Sequence, residues 1–208
     1  MNWMEMSLRD FQAALASSSP TPGGGTASAI ALGQAAALTC MVADLTIGNE
    51  KWQEGWVSAE KAKSIAVEIL TKSGILAKQD SDSFDQVMNC FKMPKTNDKE
   101  KELRRSAIRN ATLEAALVPY QTASEGLRLL ELLTELARNG NGNAVSDVGV
   151  ASLLASAAVK GALFNVDINL KSLPQEMCGT MVEDSNGILE KSRTLSKQSI
   201  QAVRERLE

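Results

Sequence analysis

Histidine is absent from all 208 residues. Its absence excludes Ser-His and Cys-His nucleophile pairs and every metal site that depends on imidazole. Cysteine is scarce: Cys40, Cys90 and Cys178 lie far apart and form no CxxC pair. Such spacing reads as reduced thiols packed in helices, neither a disulfide framework nor a zinc site, so no metal is expected. Aromatic residues are only 4% of the chain, which leaves Ala, Leu, Val, Ile and Met to build the core. Small and unbranched residues favour closely packed helices over a β-sandwich. Neither sign of charge dominates. A net charge of −3 and a pI near 5.2 offer no general attraction to nucleic acid or an anionic membrane, and neither partner is expected. The opening MNWMEMSLRDF lacks an apolar leader, which leads us to expect a cytoplasmic protein.

What is present is ordinary globular composition, 44% hydrophobic and 23% charged, at a length that suits one well-buried domain over residues 1–208. From Pro20 to Ala43 there is no charged residue, enough by length to suggest a membrane span. Ala, Gly, Ser, Thr and Gln dominate it, and no basic cluster or aromatic belt flanks it, so the expectation is a buried helix of a soluble bundle.

Ser7 with Asp10 marks a helix start, and Leu8, Phe11, Ala14 and Leu15 share one face. The run ASSSPTPGGG ends that helix, and a small-residue helix is predicted from about Thr26 to Leu45. An amphipathic helix follows over about 58–78, with Ala62, Ile65, Ala66, Ile69 and Leu70 on one side. A separate short one covers 80–91, with Phe84, Val87, Met88 and Phe91 as its face and Pro94 as its stop. Residues 98 to about 138 read as one long helix that Pro119 must kink or interrupt. NGNGN stops it, another small-residue helix runs from Ser146 to about Val166, and a last one covers about Pro174 to Arg206. No segment alternates with period two, and no repeat stands out. The expected architecture is all-α, a bundle of five or six long helices, several of them kinked.

Two segments differ from the rest: SSSPTPGGGTASA (17–29) and NGNGNAVSDVGVASLLASAA (139–158). Each is an irregular loop feeding an Ala-rich helix with few charges. Helix starts present unpaired N–H groups, and glycines admit a ligand close to backbone; glycines and small residues also simply permit tight helix crossing. Singly, the charged residues nearby have plain structural readings. Asp147 could serve the helix dipole beside a capping Ser146, Asp80 could cap the next helix, and Asp44 could sit solvated at a helix end or be held by a partner. Lys92 and Lys95 around Pro94 could form a surface turn or an anion clamp.

Taken together, SSSPTPGGGTASA, MVADLT, DSDSFDQVMNCFKMPK and NAVSDVGVASLLASAAVKGALFNVDINL resemble the cyclodeaminase/cyclohydrolase family. That family comprises the C-terminal half of formiminotransferase-cyclodeaminase and free-standing methenyltetrahydrofolate cyclohydrolases. The resemblance spans nearly the whole chain, in the family's order. It implies an all-helical homodimer with a folate site in a groove between subunits. It departs at Thr26, Asp44 and Gly48-Asn49, where the family commonly has Ser, Asn and Gly-Lys. No formiminotransferase half is expected, and so only one activity of the bifunctional protein.

The implied activity is methenyltetrahydrofolate hydrolysis, with formiminotetrahydrofolate cyclodeamination as the alternative and a non-catalytic folate-binding helical dimer as a third. The folate, expected to be polyglutamylated, is substrate, and no separate cofactor is expected. The site residues matched to the family's motifs are Asp147 and Asp80 for proton transfer, with Asp147 slightly preferred. Pro22, Gly23, Gly24, Gly25, Asn143 and Ser146 are expected to bind substrate, and Lys92 and Lys95 to meet its glutamate tail.

Overall fold

The computed structural model describes residues 2–208, and no strand occurs among them. Short α1 (Leu8–Leu15) is capped by Ser7, whose Oγ accepts the Asp10 N–H at 3.1 Å. Four long helices follow: α2 (Gly24–Thr46), α3 (Trp56–Phe91), α4 (Asp98–Asn139) and α5 (Val145–Leu170). A single-turn α6 (Gln175–Cys178) precedes the last long helix, α7 (Met181–Leu207). The all-helical expectation, with five long elements, matches.

Helices α2 to α5 close a ring. Each packs on the next, α5 returns to α2, and α7 lies against α4 and α5. The ring is filled by large aliphatics such as Leu32, Ile69, Leu129, Leu133, Val148 and Val159, all under 2% exposed. Alanines at 35, 36, 62, 66, 155 and 158 fill the places between them without exposure. This is how a chain poor in aromatics reaches interior packing density: short side chains draw helix backbones together. A second cluster sets Trp3 edge-on to Phe11 (ring centroids 6.4 Å apart) over Ala29, Leu76 and Ala77, tying the N-terminal segment to α2 and α3.

Several boundaries differ from the sequence-based expectation. The helix predicted to start at Thr26 begins two residues earlier, so Gly24 and Gly25 form its first turn instead of lying outside it. Residues 58–78 and 80–91 are parts of one helix. The polar run Lys78–Asp82 contains no glycine or proline, and a change of polarity alone does not break a helix. Asp80 is therefore mid-helix and caps nothing on its own chain segment. Pro119 does not interrupt α4, which is helical on both sides of it. Ser146 lies inside the first turn of α5; the cap position is Ala144, after a 3-10 turn at Gly142–Ala144. The predicted last helix is divided by Gly179, whose φ of 54° suits glycine and breaks the chain direction between α6 and α7.

The helices α2 and Gly142–Leu170 are each long and apolar enough to cross a membrane by length and composition, but 56% of each apolar window is buried inside the bundle. Asp44, the lone charge of α2, is exposed and ion-paired with Lys63 at 2.5 Å.

Candidate active site at the head of helix α2

At one end of the ring, the start of α2, the later half of α3, Ala115 of α4 and the last turns of α5 enclose a cavity of about 320 Å³. Gly23, Gly24 and Gly25 form one wall, and Asp80, Ser83, Phe84 and Val87 of α3 another. Asn165, Ile168 and Asn169 complete it from α5.

Asp80 is its chemical centre. Gly23 occupies the cap position of α2 and has no side chain with which to satisfy the helix's first N–H groups. Asp80, on the neighbouring α3, reaches that end: its carboxylate accepts the Thr26 hydroxyl at 2.8 Å, and the Thr26 backbone N–H beside it also favours the charged form. Gly25 makes this approach feasible. A Cβ there would lie 2.1 Å from Asp80 Oδ1, well inside contact distance. Burial pushes the Asp80 carboxyl above the usual carboxylate range, and the Thr26 hydroxyl and N–H oppose that shift without cancelling it.

Behind Asp80 runs a line of donors. Thr26 gives its hydroxyl proton to Asp80, so its Oγ1 accepts from Ser81 Oγ at 3.0 Å. Ser81 in turn accepts the Trp3 indole N–H at 3.0 Å. Every proton in the line points toward the carboxylate. Trp3, Ser81, Asn165 and Asn169 were not singled out from the sequence. Trp3 and Ser81 carry no local signal, because their partners are distant in the chain. The asparagines do carry one: they are polar, four residues apart, and lie on one face of a helix rich in small and apolar residues.

The other sequence-matched residues lie elsewhere in the chain. Pro22 is buried beside the glycine wall, after a cis peptide with Thr21. Asn143, Ser146 and Asp147 sit at the opposite end of α5 from Asn165; the intervening eighteen residues (165 − 147) rise roughly 27 Å. Asn143 and Ser146 are exposed there, and Asp147 is half-buried. Within one protomer they do not share the Asp80 cavity. Lys92 follows the end of α3 and donates to Asn89 Oδ1 at 3.2 Å. Lys95 borders a separate cavity of about 420 Å³, with Lys101, Arg104, Arg105 and Arg109 around it.

Fold and site together define an all-helical protein with a small-molecule cavity organised by one half-buried carboxyl against a helix start. Residues 7–186 match the formiminotransferase-cyclodeaminase family, and the chain belongs to that family. It is 34% identical to a methenyltetrahydrofolate cyclohydrolase of Methylorubrum extorquens, over 96% of this chain and 97% of that one. It is 30% identical to a formimidoyltransferase-cyclodeaminase of Rattus norvegicus over 84% of this chain, which there spans only 32% of the longer protein. Among solved structures, formiminotetrahydrofolate cyclodeaminase of Thermotoga maritima superposes with a TM-score of 0.80 at 30% identity, covering 98% of this chain and 96% of that one.

Proposed function

We propose that this protein is a cytoplasmic, homodimeric methenyltetrahydrofolate cyclohydrolase, converting 5,10-methenyltetrahydrofolate to 10-formyltetrahydrofolate. The observation that carries this reading is the Asp80 carboxyl, raised by burial and aimed into a cavity, in a chain that aligns end to end with a cyclohydrolase.

The substrate is a cationic amidinium, already open to attack by water at the bridging carbon. Asp80 as carboxylate accepts a proton from the attacking water, and a neutral tetrahedral carbinolamine forms. The protonated carboxyl then donates to ring nitrogen N5 as the bond from N5 to that carbon breaks, while the carbinolamine hydroxyl gives its proton to solvent and becomes the carbonyl of the formyl group left on N10. One water is consumed and one proton is released overall. A carboxyl whose affinity for protons is raised suits both halves of this exchange. The N–H groups at the head of α2 bring the positive end of the helix dipole to the carboxylate and hold it in place.

The basic cavity supports the assignment of Lys95 to an anionic tail. Ile108 on its wall and Ala115 on the first cavity's wall are two turns apart on α4, about 10 Å. The p-aminobenzoyl ring of a folate bridges a gap of that order between the reacting carbon and the glutamates. Arg104 Nε lies buried there without a hydrogen-bond partner among the described residues.

Dimerisation is supported by an exposed apolar stripe along α5, comprising Val150, Leu153, Phe164 and Ile168, the last two 73% and 69% exposed. Such a pairing offers the Asp147 end of one copy to the Asp80 cavity of the other. Cyclodeaminase activity is the second reading, favoured by the Thermotoga maritima likeness, since ring closure with loss of ammonia passes through the same cation.

The test is loss of methenyltetrahydrofolate absorbance, corrected for spontaneous hydrolysis in the same buffer. Acceleration that disappears in Asp80→Asn supports the cyclohydrolase. No acceleration, with ammonia released from formiminotetrahydrofolate, supports the second reading. Binding without either turnover leaves a folate-binding helical dimer.

A further inference from the structure

Pro119 lies in the interior of α4, and a proline there has no N–H for the carbonyl four residues back. That carbonyl belongs to Ala115, which is buried and borders the Asp80 cavity. It is not left unpaired: Asn169 Nδ2, from α5, donates to it at 2.9 Å. A carbonyl accepts only from the NH2 end of the amide, so the side chain can sit in one orientation alone. The amide is therefore held by a backbone vacancy that the proline creates. Its Oδ1 receives no hydrogen bond from any described residue, and Asn169 lines the same cavity as Asp80.

We infer that Asn169 is a specificity-determining contact that presents a fixed acceptor to an N–H donor on the substrate's reduced pterin ring, and that Pro119 is its positioning residue. Asp80 handles protons, and Asn169 reads the ring. An acceptor in a half-buried wall rewards a ligand with a ring N–H or amino group at that point and disfavours one with a carbonyl there. Had residue 119 carried an N–H, the Ala115 carbonyl would have a partner within α4, and the bond that sets the Asn169 orientation would face a competitor. The inference rests on the folate reading of the cavity given above.

The test is a double-mutant cycle of Asn169→Ala and Pro119→Ala, read as kcat and KM for the folate substrate that wild type turns over, with thermal melting as the control for folding. Asn169→Ala is expected to raise KM by roughly three- to tenfold, the size of one hydrogen bond, with a smaller change in kcat. Pro119→Ala restores the helical N–H and is expected to raise KM in the same direction by less, without lowering the melting temperature. In the double variant KM should be no worse than in Asn169→Ala alone, because the proline acts only through the amide. Unchanged KM in Asn169→Ala, or an equal extra rise from Pro119→Ala in both backgrounds, overturns the proposal while leaving the folate activity standing. Absence of wild-type turnover with either folate, together with no binding of 5-formyltetrahydrofolate, overturns both.

Discussion

Gly25→Ala is the sharpest perturbation of the site. In most helix positions the change is favourable by up to about 1 kcal/mol, because alanine restricts the unfolded chain and favours helix. Here the added methyl would sit 2.1 Å from Asp80 Oδ1, 2.6 Å from Cγ and 2.8 Å from Oδ2, so the whole carboxylate stands in its place. The carboxylate must swing away and give up the Thr26 hydroxyl bond and its place beside the Thr26 N–H at the start of α2. A charge-assisted hydrogen bond is worth roughly 1.5–3 kcal/mol where it is shielded, and Asp80 recovers part of that by meeting water. A net loss of about 2 kcal/mol is expected in the wild-type background. In an Asp80→Ala background the obstruction is gone, and the same substitution should be neutral or stabilising by up to about 1 kcal/mol. Urea unfolding of the four proteins measures the difference, with a coupling of roughly 2–3 kcal/mol expected. Turnover of Gly25→Ala should fall with it. Equal destabilisation in both backgrounds would show that the carboxylate is not what glycine makes room for.

Asp80→Asn keeps an acceptor for Thr26 and should fold, while turnover falls by about 10²–10⁴-fold; near-normal rates would remove Asp80 from the chemistry. In wild type, the acid limb of kcat/KM should lie above the range of an ordinary carboxylate, because the free enzyme's Asp80 is raised by burial. The stability linkage has the matching sign. A group raised on folding contributes fully below its unfolded pKa and loses that contribution as pH rises through its folded value. Asp80→Asn should therefore gain on wild type across that window in melting curves taken at a series of pH values. If Asp147 serves the cavity of a second copy, mixing inactive Asp80→Asn and Asp147→Asn proteins should restore roughly a quarter of wild-type activity through mixed dimers, and no recovery would confine the site to one chain. Leu153→Glu, on the exposed α5 stripe, should shift sedimentation from dimer to monomer; an unchanged species would place the interface elsewhere.

The helical class and most of the long elements were legible from spacing and from the glycine and proline stops. Asn97, for example, caps α4 through the Glu100 N–H at 2.9 Å, directly before the helix start expected at residue 98. Spacing alone reads Asp80 as a possible cap of the next helix, whereas it bonds Thr26 at the start of α2, 54 residues upstream. A contact between helices leaves no trace in local spacing. The face of Phe84, Met88 and Phe91 was read correctly as apolar, yet these side chains are 39–50% exposed, because periodicity cannot say whether a partner covers a face. Spacing reads Pro119 as a kink or an interruption; the helix is not interrupted, and the carbonyl left free is met by a side chain that only the fold brings near.

Asp80 stands in its cavity with no cationic side chain shifting its proton affinity. On the folate reading, the neutralising charge is carried in by the substrate and destroyed by the reaction. An ionised Asp80 is attractive to the amidinium and finds no charge to hold on the formylated ring, so the step that completes hydrolysis also removes this part of the grip. Loosening then starts at the reacting carbon, while ring and tail keep their own contacts.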